Sequence, residues 1–415
     1  MSKAIPFVSG IVAIALAATL VGCKAPGGGA SSSTGGSPGA GGGKSARVMP
    51  TEDGPTVSGD TIKIGLVASL NGASKPWGED CKSGAQLAID EANAAGGING
   101  KKIELVIEDS NSQPQDGRVA AQKLVSEGVI CVLGEVASGI TRPMTDVTYA
   151  AGVPQVAIGA TAVDITKQYG NIFRVCYNDD FQGPVMAKYA YDELKARSVA
   201  VMTDNKLPYS QGLSESFKAA FEKLGGTIVS EEFYEQGNAQ FTGQITNLKS
   251  KNPDGIFLSG YFNEVGPIAK QLRQNGVNVP LFGGDGWDSS ELINSGGEAI
   301  VGGVFCNHYT STEDRAEVAD FLAKWKTKYG GQPGTTMGAL TFDAANLVIQ
   351  ALRNCGELSA KELITQIDQV ENFNGVTGMI TLKGQNGDPL KSALVVKVTR
   401  TGFDFAKSYA PEELK

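Results

Sequence analysis

The chain has 415 residues and a formal net charge of −8, from 36 Lys plus Arg against 44 Asp plus Glu. That balance argues against a general nucleic-acid binder, which needs a basic face. With 41% hydrophobic and 19% charged residues, the bulk of the chain is neither disordered nor a membrane bundle. The single histidine, His308, excludes a multi-histidine zinc site and leaves one candidate for Ser-His or Cys-His chemistry.

Residues 1–23 read as a bacterial secretion signal. Lys3 gives the positive start, Ala4 to Val21 is mostly apolar, and Leu20-Val21-Gly22-Cys23 resembles a lipobox. The apolar run is near the lower limit for spanning a ~30 Å hydrocarbon core. Cleavage before Cys23 and acylation of Cys23 are therefore expected, with export and membrane anchoring. Residues 24–59 form a Gly/Ser/Pro-rich tether, including Gly27-Gly28-Gly29 and Gly41-Gly42-Gly43. Such composition buries too little apolar surface to offset chain entropy, and a coil of that length spans about 30–35 Å. Cys81, Cys131, Cys176, Cys306 and Cys355 remain after Cys23. Their number is odd and no CxxC pair occurs, so no specific bridge is expected.

From Asp60 the chain alternates strands and helices. Thr61–Val67, Lys102–Ile107, Val129–Leu133 and Gln155–Ile158 read as strands, with helices over Glu79–Ala95, Gln115–Glu127 and Thr141–Ala151. A second series has strands at Ser198–Met202, Thr227–Phe233, Gly255–Leu258 and Pro280–Phe282, with helices at Tyr209–Leu224, Gln240–Lys251 and Asn263–Asn275. Each series predicts a doubly wound parallel sheet, hence two α/β lobes. About 150 residues per domain gives the same count. The helices Ala316–Tyr329, Met337–Arg353 and Ala360–Gln369 and the strand-rich tail from Gly378 fit neither lobe alone, as a chain crossing back between lobes would produce.

Open parallel sheets bind ligands beyond the carboxyl ends of their strands. Ser138 follows one strand and is expected to be the N-cap of the next helix, whose free N–H groups make an anion site; a cap needs no ligand. Gly159-Ala160-Thr161 follows the next strand, with Thr161 expected before a short helix. Two such loops side by side fit a carboxylate cradle. In the second lobe, Tyr209 opens a helix, Tyr261 follows Ser259-Gly260, and Asp285 lies among glycines, suited to an ammonium or to a turn. Trp77 is either a packing plug or a wall for an apolar side chain. No G-x-S-x-G elbow, Walker A or H-E-x-x-H motif is present, so an enzyme is not expected.

The ordered set Trp77-Gly78, Gly84-Ala85, Asn93, Gly96-Gly97-Ile98-Asn99-Gly100-Lys101, Asp109-Ser110, Gly134, Ser138, Gly159-Ala160-Thr161, Phe173-Arg174, Asp179, Gln182-Gly183 and Tyr209 with Gly212 resembles the bacterial leucine/isoleucine/valine-binding proteins. These are type I periplasmic binding proteins serving ABC importers. The resemblance runs from Thr61 to about Thr399. It implies a Venus-flytrap of two lobes, 60–179 plus 309–395 and 180–308 plus 396–415, joined by three hinge crossings. It implies that Ser138 and Thr161, with backbone near Ala137, Gly159 and Ala160, hold a free amino acid's carboxylate, and that Asp285 pairs its ammonium. Many relatives have the longer Glu there. Tyr209 and Tyr261 would line the cleft, Trp77 would contact the ligand side chain, and Met337 would lie near it. The best-known member's disulfide is unmatched, Asn111 and Ala137 standing at its places. A monomer without metal or cofactor, working with a permease and its ATPase, is the implied assembly. The same fold binding urea, a short amide, a carboxylic acid or an aromatic solute, or serving as a sensor, would differ in whether an α-ammonium is needed and in the neighbouring genes.

Overall fold

The computed structural model describes residues 47–414. The expected leader, Cys23 and the tether up to residue 46 lie outside them. Among the described residues no helix is long and apolar enough to cross a membrane.

The first series runs β1 (Thr61–Ala68), α1 (Lys75–Ala94), β2 (Lys102–Asp109), α2 (Pro114–Ser126), β3 (Cys131–Leu133), α3 (Ser138–Ala150), β4 (Gln155–Ala157) and β5 (Ile172–Arg174). All five strands are parallel, in the order β2-β1-β3-β4-β5. The second runs α4 (Asp179–Asp192), β6 (Ser198–Asp204), α5 (Pro208–Lys223), β7 (Thr227–Tyr234), α6 (Thr242–Ser250), β8 (Gly255–Ser259), α7 (Phe262–Gln274), β9 (Leu281–Gly283), α8 (Ser290–Gly296) and β10 (Val304–Asn307). There follow α9 (Ala316–Tyr329), α10 (Met337–Arg353), α11 (Ala360–Asp368), the hairpin β11 (Phe373–Gly375) and β12 (Gly378–Ile380), then β13 (Ala393–Val398) and β14 (Phe403–Tyr409). The second sheet has the order β14-β13-β10-β9-β8-β6-β7, with β13 antiparallel to both its neighbours, β10 and β14, and the other pairs parallel.

The chain passes between the sheets three times, at 175–178, 308–315 and 381–392. The last crossing ends before Ala393, which pairs with Tyr409, so all of β13 belongs to the second sheet rather than only its part from 396. Residues 47–59, expected in the tether, are docked on the first lobe. Val48 exchanges backbone bonds with Gln168 and Gly170, and Val57 and Pro55 bond to Leu358 and Ala360. Local composition missed this because the partners lie more than a hundred residues away. The helix α4 was also not expected. Its buried residues, from Asp179 through Gln182, Val185, Met186 and Ala190, leave no clean polar face, since it packs on α5 and on β9, β10 and β13.

Apolar residues at helical spacing bury one face of α1, and α10 is buried almost all round. The two helices pack so closely that a Cβ at Gly84 would lie 2.1 Å from the Gly338 carbonyl oxygen. The five described cysteines are buried free thiols.

Replacing Gly84 with Ala forces α1 and α10 apart. A net loss of about 1–3 kcal/mol is expected despite the roughly 1 kcal/mol gain in helix propensity. Urea unfolding measures it, and an unchanged midpoint would disprove the close approach.

Candidate functional site

Loops from the carboxyl ends of both sheets meet around a narrow cavity. The first lobe contributes Trp77 at the start of α1, Val136 and Ser138 after β3, Gly159 after β4, and Met337 at the start of α10; the second contributes Tyr209, Tyr261, Asp285 and Gly286. The space within it open to a water-sized sphere is about 10 Å³, room for about one water.

The first-lobe wall is built around the loop after β3. The Glu135 carboxylate accepts from Ser69 Oγ (2.5 Å), Ser110 Oγ (3.0 Å), Val136 N (3.0 Å) and Ala137 N (2.8 Å). Burial pushes its pKa up, and these four donors act against that. They pin the backbone entering α3. Ala137, not Ser138, is the cap residue, with extended backbone; Ser138 is the first helical residue. Its Oγ does not cap the helix but accepts the Ala162 N–H at 3.1 Å, tying the loop after β4 to α3 and leaving the hydroxyl proton to donate into the cavity. The first N–H groups of a helix lack intrahelical acceptors, so the Ser138 and Gly139 amides make this end ready for an anion.

A Cβ on Gly159 would come within 2.9 Å of Val136 and 3.0 Å of Met337, closing the wall. Ala137, Ala160 and Thr161 stand one layer behind the lining. The Ala160 carbonyl accepts from Arg174 Nη1 at 2.7 Å, and Arg174 is paired with Asp388 at 2.7 Å. The Thr161 carbonyl accepts from the Asp179 amide (2.9 Å), and turns rather than the expected helix follow it, because Arg174 holds that loop from outside.

In the second lobe, Tyr209 and Tyr261 stack at 5.4 Å, and Tyr261 meets Trp77 of the other lobe edge-on at 5.0 Å. The Tyr209 hydroxyl accepts the Gly286 N–H at 2.9 Å. Asp285 is buried at 3% exposure. Its Oδ1 accepts from Gln182 Nε2 (3.1 Å), its N–H donates to Gln182 Oε1 (3.2 Å), and its Oδ2 is 3.0 Å from His308 Nε2. Gln182 also donates to Asp179 Oδ1 at 2.7 Å. Burial, with the nearby Asp285 charge, raises Asp179 to about 7. Burial lowers the His308 pKa while Asp285 opposes it, and His308 Nδ1 has no partner, which fits a neutral ring protonated on Nε2. The polar groups bonded to Asp285 are thus neutral ones.

At the rim, Asp288 Oδ2 of the second lobe accepts from Thr336 N (2.5 Å) and Oγ1 (2.7 Å) of the first, and the Asp288 carbonyl accepts from Trp77 Nε1 (2.7 Å). Asp80 binds the neighbouring Thr335 N (2.7 Å) and Oγ1 (2.9 Å). Both acids sit at the start of α10, where its dipole favours negative charge. Burial still raises Asp80 to about 7 and Asp288 to about 6.

Six of the nine residues singled out in the sequence line the cavity. Sequence reasoning missed Gln182 and the pairing role of His308. Gln182 sits on the unrecognised α4, and His308 directly follows β10, a strand that the sequence reading did not assign.

The folded protein takes up protons at Asp80, Asp179 and Asp288, whose folded pKa values exceed the ordinary carboxylate value, against one imidazole shifted the other way. The native state therefore binds more protons than the unfolded one between about pH 4 and 7, and stability rises as pH falls through that window. The unliganded melting temperature is expected to be higher at pH 5.5 than at 7.5. Asp80→Asn, which keeps the acceptor for Thr335 without the charge, should flatten the difference. A melting temperature that falls on acidification would refute this.

The family described as periplasmic binding protein matches residues 61–403. The chain is 38% identical to the Leu/Ile/Val-binding protein BraC3 of Rhizobium johnstonii over 331 residues, 79% of this chain and 88% of that one. It is 33% identical to the Leu/Ile/Val-binding protein homolog 2 of Brucella abortus, over 84% of this chain and 93% of that one. Among solved structures, the leucine binding protein LivK of Thermotoga maritima superposes with a TM-score of 0.81 at 32% identity, covering 85% of this chain and 99% of that one. LivJ of Streptococcus pneumoniae, in complex with isoleucine, superposes at 0.80 and 31%, covering 85% and 100%.

Proposed function

This chain belongs to the periplasmic binding protein family, and on that premise we propose that it captures a free apolar α-amino acid between its lobes and delivers it to an ABC importer. One observation carries the reading: Asp285 is buried in the cavity wall with neutral polar partners, facing a helix start on the other lobe. An enclosed carboxylate without a counter-charge is costly, and a ligand ammonium supplies the missing cation. The ligand carboxylate takes the Ser138 hydroxyl and the first amides of α3, with Thr161 in support behind them. Trp77, Tyr261, Val136 and Met337 leave an apolar end, in keeping with relatives named for leucine, isoleucine and valine. Only the closed arrangement brings both charged ends of a zwitterion to both lobes, so the ligand shifts the population toward closure. The closed monomer then docks on a permease whose ATPase drives import, held to the membrane through lipid on Cys23.

A thermal-shift panel of the twenty amino acids tests the ligand. Leucine, isoleucine or valine at 100 times its Kd should add ~2.7 kcal/mol, and a flat panel would sink the reading. Asp285→Ala should weaken binding by about 2–5 kcal/mol in calorimetry while lowering the unliganded melting temperature far less, since removal of the buried charge offsets the His308 donor left without an acceptor. Cys23→Ser should release the protein from the membrane fraction; retention there would refute the anchor.

A further inference from the structure

We infer that His308 is a positioning residue for the ligand ammonium, acting through Asp285 from the hinge. The inference rests on the proposed amino-acid reading and adds a residue to it.

His308 is the first residue of the second crossing, directly after β10. Its ring is fully buried and stacks on Tyr177 of the first crossing, with centroids 4.1 Å apart and planes at 23°. That stack fixes the plane of the ring, and Nε2 lies 3.0 Å from Asp285 Oδ2. Nδ1 is buried without a hydrogen-bond partner, so a proton there would have no acceptor. The tautomer that satisfies the site carries its proton on Nε2 and donates to Asp285. Gln182 holds the other oxygen at 3.1 Å. The carboxylate is therefore gripped at both oxygens by uncharged donors. It is fixed in direction yet not neutralised, which is what a group reserved for an incoming cation needs.

The side chain at 285 is an aspartate, one methylene shorter than glutamate, and its freedom to swing toward a ligand is correspondingly small. Its reach is set by the backbone turn 285–287 and by the two donors, not by its own rotamers. Removing the imidazole leaves Oδ2 without its donor in a buried site and lets the carboxylate turn toward Tyr209 or Gln182. The other ionisable groups near the ring, Tyr177, Cys306 and Lys391, do not bond to Asp285 Oδ2.

The test is calorimetry with leucine on His308→Ala, His308→Gln, Asp285→Asn and the double variant Asp285→Asn/His308→Ala. Loss of a donor to a buried charged group predicts about tenfold or more weaker binding for His308→Ala. His308→Gln, whose amide keeps a donor, should recover to within about threefold. In the Asp285→Asn background His308→Ala should add no further loss, because the histidine acts through the aspartate. Wild-type affinity in His308→Ala, or an equal loss in both backgrounds, would overturn the assignment. A second readout needs no variant. As the chain's single histidine, His308 gives one pair of imidazole nitrogen signals in tag-free, 15N-histidine-labelled protein. A proton on Nε2 alone in the free protein is expected; a proton on Nδ1 would overturn the pairing. If the wild type bound no amino acid, the ligand reading would fail separately, and the tautomer would still judge the His308–Asp285 pair.

Discussion

Asp285 lies between two lobes with an amide and an imidazole bonded to its oxygens, and two buried cations are committed elsewhere: Arg174 to Asp388, Lys391 to the Val175 carbonyl. In a low-dielectric enclosure such an arrangement is incomplete, and the rest of the site is organised around completing it. Opposite it, Glu135 draws the backbone into place so that α3 begins at the cavity with its first amides exposed. An acid on one lobe thus faces a helix start on the other, the arrangement on which the proposed zwitterion reading rests. The apolar lining is left to choose among side chains.

Much of the fold is readable in the chain because parallel strands buried on both faces give unbroken apolar runs and surface helices give a 3.6-residue stripe. The rule that ligands meet strand ends then led to Trp77, Ser138, Gly159, Tyr209, Tyr261 and Asp285, all of which line one cavity. What was not readable depends on distant partners. The α4 segment packs on several sides, so its period is blurred. Ser138 looks like a cap, but its hydroxyl is taken by Ala162 from the next loop. Thr161 looks like a helix start, but Arg174 and Asp388 fix its loop from a strand and a crossing far along the chain. His308 was visible only as a solitary imidazole, and its meaning came from a carboxylate on another loop.

The hinge is part of the site rather than a passive strap. The first and second crossings meet through the Tyr177–His308 stack, and the third carries Lys391, whose ammonium is buried and bonded to the Val175 carbonyl and to Thr377. All three strands of chain are therefore cross-linked by side chains just below the cavity floor.

The rim bonds between Asp288 and its partners Thr336 and Trp77 have a separate effect. They join the lobes directly, so contacts between the lobes themselves contribute part of the free energy of shutting. Apparent affinity scales with the fraction of molecules in the competent shape. Grip can therefore be strengthened or relaxed by editing one carboxylate at the lip, while the choice of guest, written deeper in the chamber, is left as it was.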